Sequence, residues 1–122
     1  MSRFVIRRVA SGVKFDLLAA NGQQIASSEV YDTKAACAKG IASVRKLAPG
    51  AKLEDQTVVG YPTLTNPKFE IYLDKTGAYR FRLKARNGKI IAVSESYRAK
   101  ASCENGVESV RKNAPEAECV EE

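Results

Sequence analysis

Residues 15–55 lie over residues 81–121 at a constant offset of 66, and 21 of those 41 positions are identical. The first copy reads Phe15-Asp16-Leu17, Asn21-Gly22, Ile25-Ala26, Ser28-Glu29, Tyr31, Lys34-Ala35, Cys37, Gly40, Ser43-Val44-Arg45-Lys46 and Ala48-Pro49. The second repeats it as Phe81-Arg82-Leu83, Asn87-Gly88, Ile91-Ala92, Ser94-Glu95, Tyr97, Lys100-Ala101, Cys103, Gly106, Ser109-Val110-Arg111-Lys112 and Ala114-Pro115. Upstream, Phe4-Val5-Ile6 matches Phe69-Glu70-Ile71 at an offset of 65, so a one-residue difference falls in the turn between. A lone unit of about 55 residues would bury only about 60% of its unfolded surface and would be marginal. Two similar units sharing one core escape that limit. The expectation is a single pseudo-two-fold domain made of repeat 1 (residues 1–55), a linker (56–68) and repeat 2 (69–122). Two copies are too few for a solenoid.

Each unit reads strand–strand–strand–helix–strand. Phe4 and Ile6 alternate with Val5 and Arg7, which suits a short strand, and Ser11-Gly12 marks a turn. Phe15, Leu17 and Ala19 share one face of a second strand, and Asn21-Gly22 is the strongest short hairpin signal available. A third strand follows from about Gln24 to Glu29. Asp32 or Thr33 then caps a helix running to about Leu47, which Pro49-Gly50 ends. Cys37, Gly40, Ile41, Val44 and Ala48 form its apolar stripe, as do Cys103, Gly106, Val107, Val110 and Ala114 in the second copy. The second cap is poorer, because Arg98 and Ala99 replace Asp32 and Thr33. Leu53 and Cys119-Val120 lie in short extended segments after the helices. Gly60, Pro62, Asn66 and Pro67 punctuate the linker.

The pattern N-G-x-x-I-A-x-S-E-x-Y, followed by K-A-x-C-x-x-G-[IV]-x-S-V-R-K-x-A-P, resembles the YegP-like family of small, uncharacterised bacterial and archaeal proteins. The resemblance covers nearly the whole chain and occurs twice. It implies an α+β fold in which tandem β-β-β-α-β repeats form one shared, largely antiparallel sheet. Two helices would lie on one face, and the C-terminal strands would be exchanged between repeats. It brings no catalytic residues, and fold alone does not confer function.

Composition removes several classes of chemistry. The chain has no histidine, which excludes histidine-dependent triads and histidine–metal sites. Its three cysteines include no C-x-x-C pair, so no standard structural zinc site is expected, and no cofactor is called for. An odd cysteine count, with two at equivalent helical positions, argues for reduced thiols in a cytoplasm. The N-terminus has no apolar run of signal-peptide type, and nothing approaches the roughly 18 apolar residues of a membrane span. Cys37 and Cys103 lie on the apolar stripes beside Ile41 and Val107, where cysteine acts as a small hydrophobe. Cys119, at the position of Leu53, also reads as packing. Gly40 and Gly106 each cost a helix about 1 kcal/mol relative to Ala, which points to close approach of another element. Ser28-Glu29 and Ser94-Glu95 cannot pair as nucleophile and base, since neighbours on a strand point to opposite faces.

Charge carries the directional content. With Phe81, Leu83 and Ala85 facing inward, Arg80, Arg82, Lys84 and Arg86 face out, forming a line about 20 Å long at about 3.3 Å per residue. Lys89 lies just past the turn, and Tyr72 on the neighbouring strand offers a stacking ring. A basic sheet face with an aromatic suits single-stranded nucleic acid. The stripe is not duplicated, since Lys14, Asp16, Leu18 and Ala20 stand opposite it in repeat 1. Glu116, Glu118, Glu121 and Glu122 crowd the C-terminus and offer the stripe an internal partner.

The function expected is therefore a small non-enzymatic binding module that contacts a polyanion such as nucleic acid. The alternative is a protein–protein interaction module, favoured by any exposed apolar patch including Val5 and Leu18. A third is a thiol-dependent enzyme using Cys37 or Cys103. A monomer is expected, because the second unit supplies what another subunit would, although an exposed sheet edge leaves a dimer open.

Overall fold

Turn chemistry divides each copy into a meander. In the computed structural model, which describes residues 1–122, the first copy holds β1 (Arg3–Val9), β2 (Gly12–Leu18), β3 (Gln24–Ser27), α1 (Lys34–Leu47) and β4 (Lys52–Asp55). The second holds β5 (Lys68–Leu73), β6 (Tyr79–Lys84), β7 (Ile90–Val93), α2 (Lys100–Asn113) and β8 (Glu118–Glu121). The β2–β3 turn closes with the Ala19 N–H donating to Gln23 O at 2.8 Å. Gly22 alone turns left-handed there, at φ +85°. Thr33 caps α1, its Oγ1 accepting from Ala36 N–H, whereas Ala99 before α2 supplies no side-chain cap.

The strands form one eight-stranded sheet in the order β4-β5-β6-β7-β3-β2-β1-β8. The two meanders meet where β3 runs antiparallel to β7, with Ser27 opposite Val93 on the pseudo-two-fold. After its helix each copy crosses to the far edge of the other. β4 pairs in parallel with β5, and β8 pairs in parallel with β1. The last strands are exchanged, as the resemblance implied.

Both helices cover one face of the sheet. Between helices and sheet lie Phe4, Phe15, Leu17, Phe69, Phe81 and Leu83, fully buried with Ile41, Val44, Val107 and Val110. Phe4 meets Phe15 edge-on at 5.6 Å, and Phe69 meets Phe81 likewise at 6.0 Å. The strand exchange is held by two equivalent arginines. Arg45 on α1 donates to Ala117 O at 2.6 Å and lies over the Phe4 ring. Arg111 on α2 donates to Ala51 O at 2.6 Å and lies over Phe69. The other sheet face carries no helix.

Candidate anion-binding cleft

The helix-free face is where the basic stripe was expected, and most of that stripe is already paired. Glu70 on β5 is almost wholly buried in the sheet surface, at 2% exposure. It accepts from Arg82 Nε at 2.6 Å and also pairs with Lys84 at 3.3 Å and Lys68 at 3.2 Å. Arg80 Nε donates to Asp74 at 2.9 Å. The Tyr72 ring is covered by the Arg82 guanidinium, 4.4 Å from its centroid. Arg80, Arg82, Lys84 and Tyr72 therefore form a closed lattice. Its counter-charges are Glu70 and Asp74, not the acidic C-terminus: Glu122 pairs with Arg7, and Glu121 with Lys34 at 2.7 Å.

The lattice continues at both ends. Asp16 on β2 accepts from Arg7 at 2.6 Å and Lys14 at 2.8 Å. Glu54 on β4 accepts from Lys68 Nζ, Gln56 Nε2 and Leu64 N–H. Burial would raise the Glu54 carboxyl, but these bonds outweigh it and hold it at about 2. Glu70 is lowered in the same way, with its three cations overcoming its burial. Val5 and Leu18 do not form an exposed apolar patch on this face. Both are buried, at 7% and 9% exposure. The large apolar side chains left exposed include Val58, Val59 and Tyr61 in the connection between β4 and β5.

Arg86 and Lys89 lie elsewhere. β6 ends at Lys84, so Arg86 is not a fourth cation on the strand face but an exposed residue of the β6–β7 turn. Neither Arg86 nor Lys89 has an ion-pair partner. This turn faces α1 across an open cleft of about 850 Å³. Lys39, Gly40 and Ser43 of α1 line one wall and Asn87, Gly88 and Lys89 the other, with Glu29, Tyr31 and Asp32 from the segment before α1 also in the lining. A smaller recess of about 280 Å³ extends it past Ser43 and Asn87 to Lys46 and Arg86. Lys39 and Lys46 are also unpaired and were missed in the sequence. The available signal was that α1 contains four cations and no acid, whereas α2 carries Glu104 and Glu108.

The remaining sequence features are structural. Ser28 Oγ accepts from Phe15 N–H at 2.9 Å and donates to Glu29 O at 2.7 Å, and Ser94 does the same for Phe81 and Glu95. These bonds splice strand pairing across a bulge, after which Tyr31 resumes pairing with Val13, and Tyr97 with Tyr79. The Tyr31 ring stacks on Phe15 and fills the space a Gly40 side chain would occupy. Tyr97 does so at Gly106. The close approach to each helix is therefore made by a tyrosine. Cys37 and Cys103 are fully buried, and burial raises both thiols, Cys103 to about 11. That is the opposite of activation. Cys119 was expected to pack like Leu53, yet it is exposed, whereas Leu53 on the equivalent edge strand is partly buried against the core.

A family model described as "Domain of unknown function (DUF1508)" matches residues 10–55 and again 74–121. The chain belongs to the DUF1508 family. It is 39% identical to the UPF0339 protein YegP of Yersinia pestis over 114 residues, covering 93% of this chain and 88% of that one. A UPF0339 protein of Treponema denticola is 65% identical over 54 residues, spanning 44% of this chain but 93% of its own length. The solution NMR structure of yegP from E. coli, a protein of unknown function, superposes with a TM-score of 0.81 at 30% identity. That match covers 98% of this chain and 91% of the other. DUF1508 relatives thus match this chain over one copy or over both. No helix of this member is long and apolar enough to cross a membrane.

Proposed function

We propose that this DUF1508 protein is a non-enzymatic binding module whose partner is a polyanion such as nucleic acid. The contact runs through Arg86 and Lys89 together with Lys39 and Lys46, rather than through the β6 strand face. One observation carries this reading: the cations of the strand face are consumed by Glu70 and Asp74, while those around the α1 cleft have no partner. Unpaired cations release counterions when they meet phosphates, whereas a cation already held by a buried carboxylate would first have to leave it. The buried, raised thiols and the structural engagement of Ser28 and Ser94 support a non-catalytic role. Unpaired cysteines support a reducing, cytoplasmic setting.

The test is titration of labelled 20-nucleotide single and double strands at two salt concentrations. Arg86→Glu/Lys89→Glu is expected to weaken binding at least ten-fold and to flatten its salt dependence. The charge-matched control Lys52→Glu/Lys75→Glu, at exposed unpaired positions away from the cleft, is expected to change it less than three-fold. Equal loss in both variants would reduce the effect to net charge, and no binding at low salt would sink the reading.

A further inference from the structure

The pseudo-two-fold lets the molecule serve as its own control. The β2–β3 turn faces α2 as the β6–β7 turn faces α1, and both places share the backbone determinants: Tyr31 and Tyr97, Gly40 and Gly106, Asn87 and Asn21, Gly88 and Gly22. Their polar side chains differ. Of the four cations only Lys46 has a counterpart, Lys112: Asn105 stands in place of Lys39, Ala20 in place of Arg86 and Gln23 in place of Lys89, while Arg98 stands in place of Asp32. On the α2 side the acceptors are used internally. Glu95 accepts from Gln24 Nε2 at 2.7 Å, and Ser109 Oγ accepts from Asn113 Nδ2 at 3.1 Å. On the α1 side Ile90 replaces Gln24 and Leu47 replaces Asn113, so Glu29 and Ser43 have no such donor. The same backbone folds with either set. The free set is therefore not a requirement of folding.

Around the α1 cleft the unengaged groups fall into two kinds. Lys39, Lys89 and the Asn87 amide donate, as do the Ser43 and Tyr31 hydroxyls, whereas Glu29 and Asp32 only accept. A simple polyanion would satisfy the cations and be repelled by the two carboxylates. A ligand bearing an anionic group at one end and hydroxyl donors at the other satisfies both. At about 850 Å³ the cleft falls within the size range of small-ligand sites.

We propose that the cleft between α1 and the β6–β7 turn binds a sugar phosphate moiety, with its phosphate on Lys39 and Lys89 and its hydroxyls on Glu29 and Asp32. This rests on the anion-binding reading above and specifies its chemistry. The moiety is either a free nucleotide or sugar phosphate, or the 5′-phosphorylated end of an RNA strand. In the second case the following phosphates would run into the recess at Lys46 and Arg86.

Calorimetric titration of the intact protein tests this with four probes: ribose 5-phosphate, adenosine monophosphate, and an RNA trinucleotide with and without its 5′-phosphate. The phosphorylated trinucleotide is expected to bind at least ten-fold more tightly than the hydroxyl form. Lys39→Gln and Lys89→Gln should each bring that ratio close to one, whereas Lys112→Gln across the pseudo-dyad should leave it intact. Thermal melts of these exposed-lysine variants check the fold. Displacement of the trinucleotide by adenosine monophosphate or ribose 5-phosphate would assign the free metabolite. Failure of either to displace it, with the ten-fold preference kept, would assign the strand end. Equal affinity for the two trinucleotides, with Arg86→Glu/Lys89→Glu still abolishing the binding of longer strands, would overturn the sugar phosphate proposal and leave the polyanion reading standing. No binding of any probe, long or short, would overturn both.

Discussion

At Gly40 two residue-scale effects oppose each other. Replacing a mid-helix glycine with alanine gains about 1 kcal/mol in helix propensity. Here the new methyl would overlap the Tyr31 hydroxyl and crowd Phe15 Cε2 at 3.2 Å. At Gly106 it would meet Tyr97 Oη at 2.6 Å and Phe81 Cε2 at 2.8 Å. Both rings are stacked in place, so the clash cannot be relieved by a free side-chain end. Overpacking of this kind costs about 1–3 kcal/mol, so Gly40→Ala and Gly106→Ala should each lower the urea midpoint despite better helix propensity. An unchanged or raised midpoint would show that the tyrosines yield. The glycines were legible as sites of close approach, but the tyrosine was not, because the bulge after Ser28 resets which face it takes. The thiols give a second residue-scale expectation. Cys119 should react with a disulfide reagent in the native protein, and Cys37 and Cys103 only after denaturation. Three fast-reacting thiols in the folded state would restore a chemical role for the helix cysteines.

At the scale of elements, β4 and β5 are joined by an ionic cluster that has no counterpart in the other copy. Glu54 and Glu70 align with Val120 and Val5, and Lys68 aligns with Arg3. Glu54 also accepts from Leu64 N–H and so fastens the connection between the copies to β4. Removing Lys68 alone would leave the buried Glu54 carboxylate without a cation, at a cost of about 3–5 kcal/mol, while Glu70 keeps Arg82 and Lys84. Lys68→Met should therefore destabilise strongly, and Lys68→Met/Glu54→Gln should recover part of the loss. Equal midpoints for single and double variants would show that the cluster is not coupled. Because the folded-state carboxyls of Glu54 and Glu70 lie below their ordinary value of 4.5, the stabilisation they give is present above that pH. It is lost as pH falls toward about 2, where Glu54 takes up its proton. Acid titration of wild type and Glu54→Gln should converge in that window. Element types and their order were legible because Asn-Gly turns and helical stripes are local signals. The ion pairs were not: Glu70 sits one strand away from Arg82, so the sequence offered the acidic C-terminus as the partner of the stripe in place of Glu70 and Asp74. Arg86 was misassigned for a related reason, because strand alternation was carried past Lys84 into the turn.

At the scale of the molecule, the exchanged strands decide how stability is shared. Neither copy completes its own sheet: β4 finishes the second and β8 the first. Arg45 and Arg111 each reach from one copy's helix to a carbonyl of the other. The antiparallel seam contributes little by comparison, since β3 and β7 pair only at Ser27 and Val93. Were the seam the main connection, the copies would unfold separately. With strands exchanged, loss of either half strips an edge strand and a core wall from the other, so unfolding should be a single two-state transition. Each arginine makes a hydrogen bond from a charged group, worth about 1.5–3 kcal/mol. Arg45→Ala and Arg111→Ala should each shift the whole transition to lower urea with an unchanged slope. Far-UV circular dichroism and tyrosine fluorescence should report the same midpoint in both variants. A biphasic curve in either variant, with one copy melting ahead of the other, would mean that the seam and not the exchange holds the molecule together.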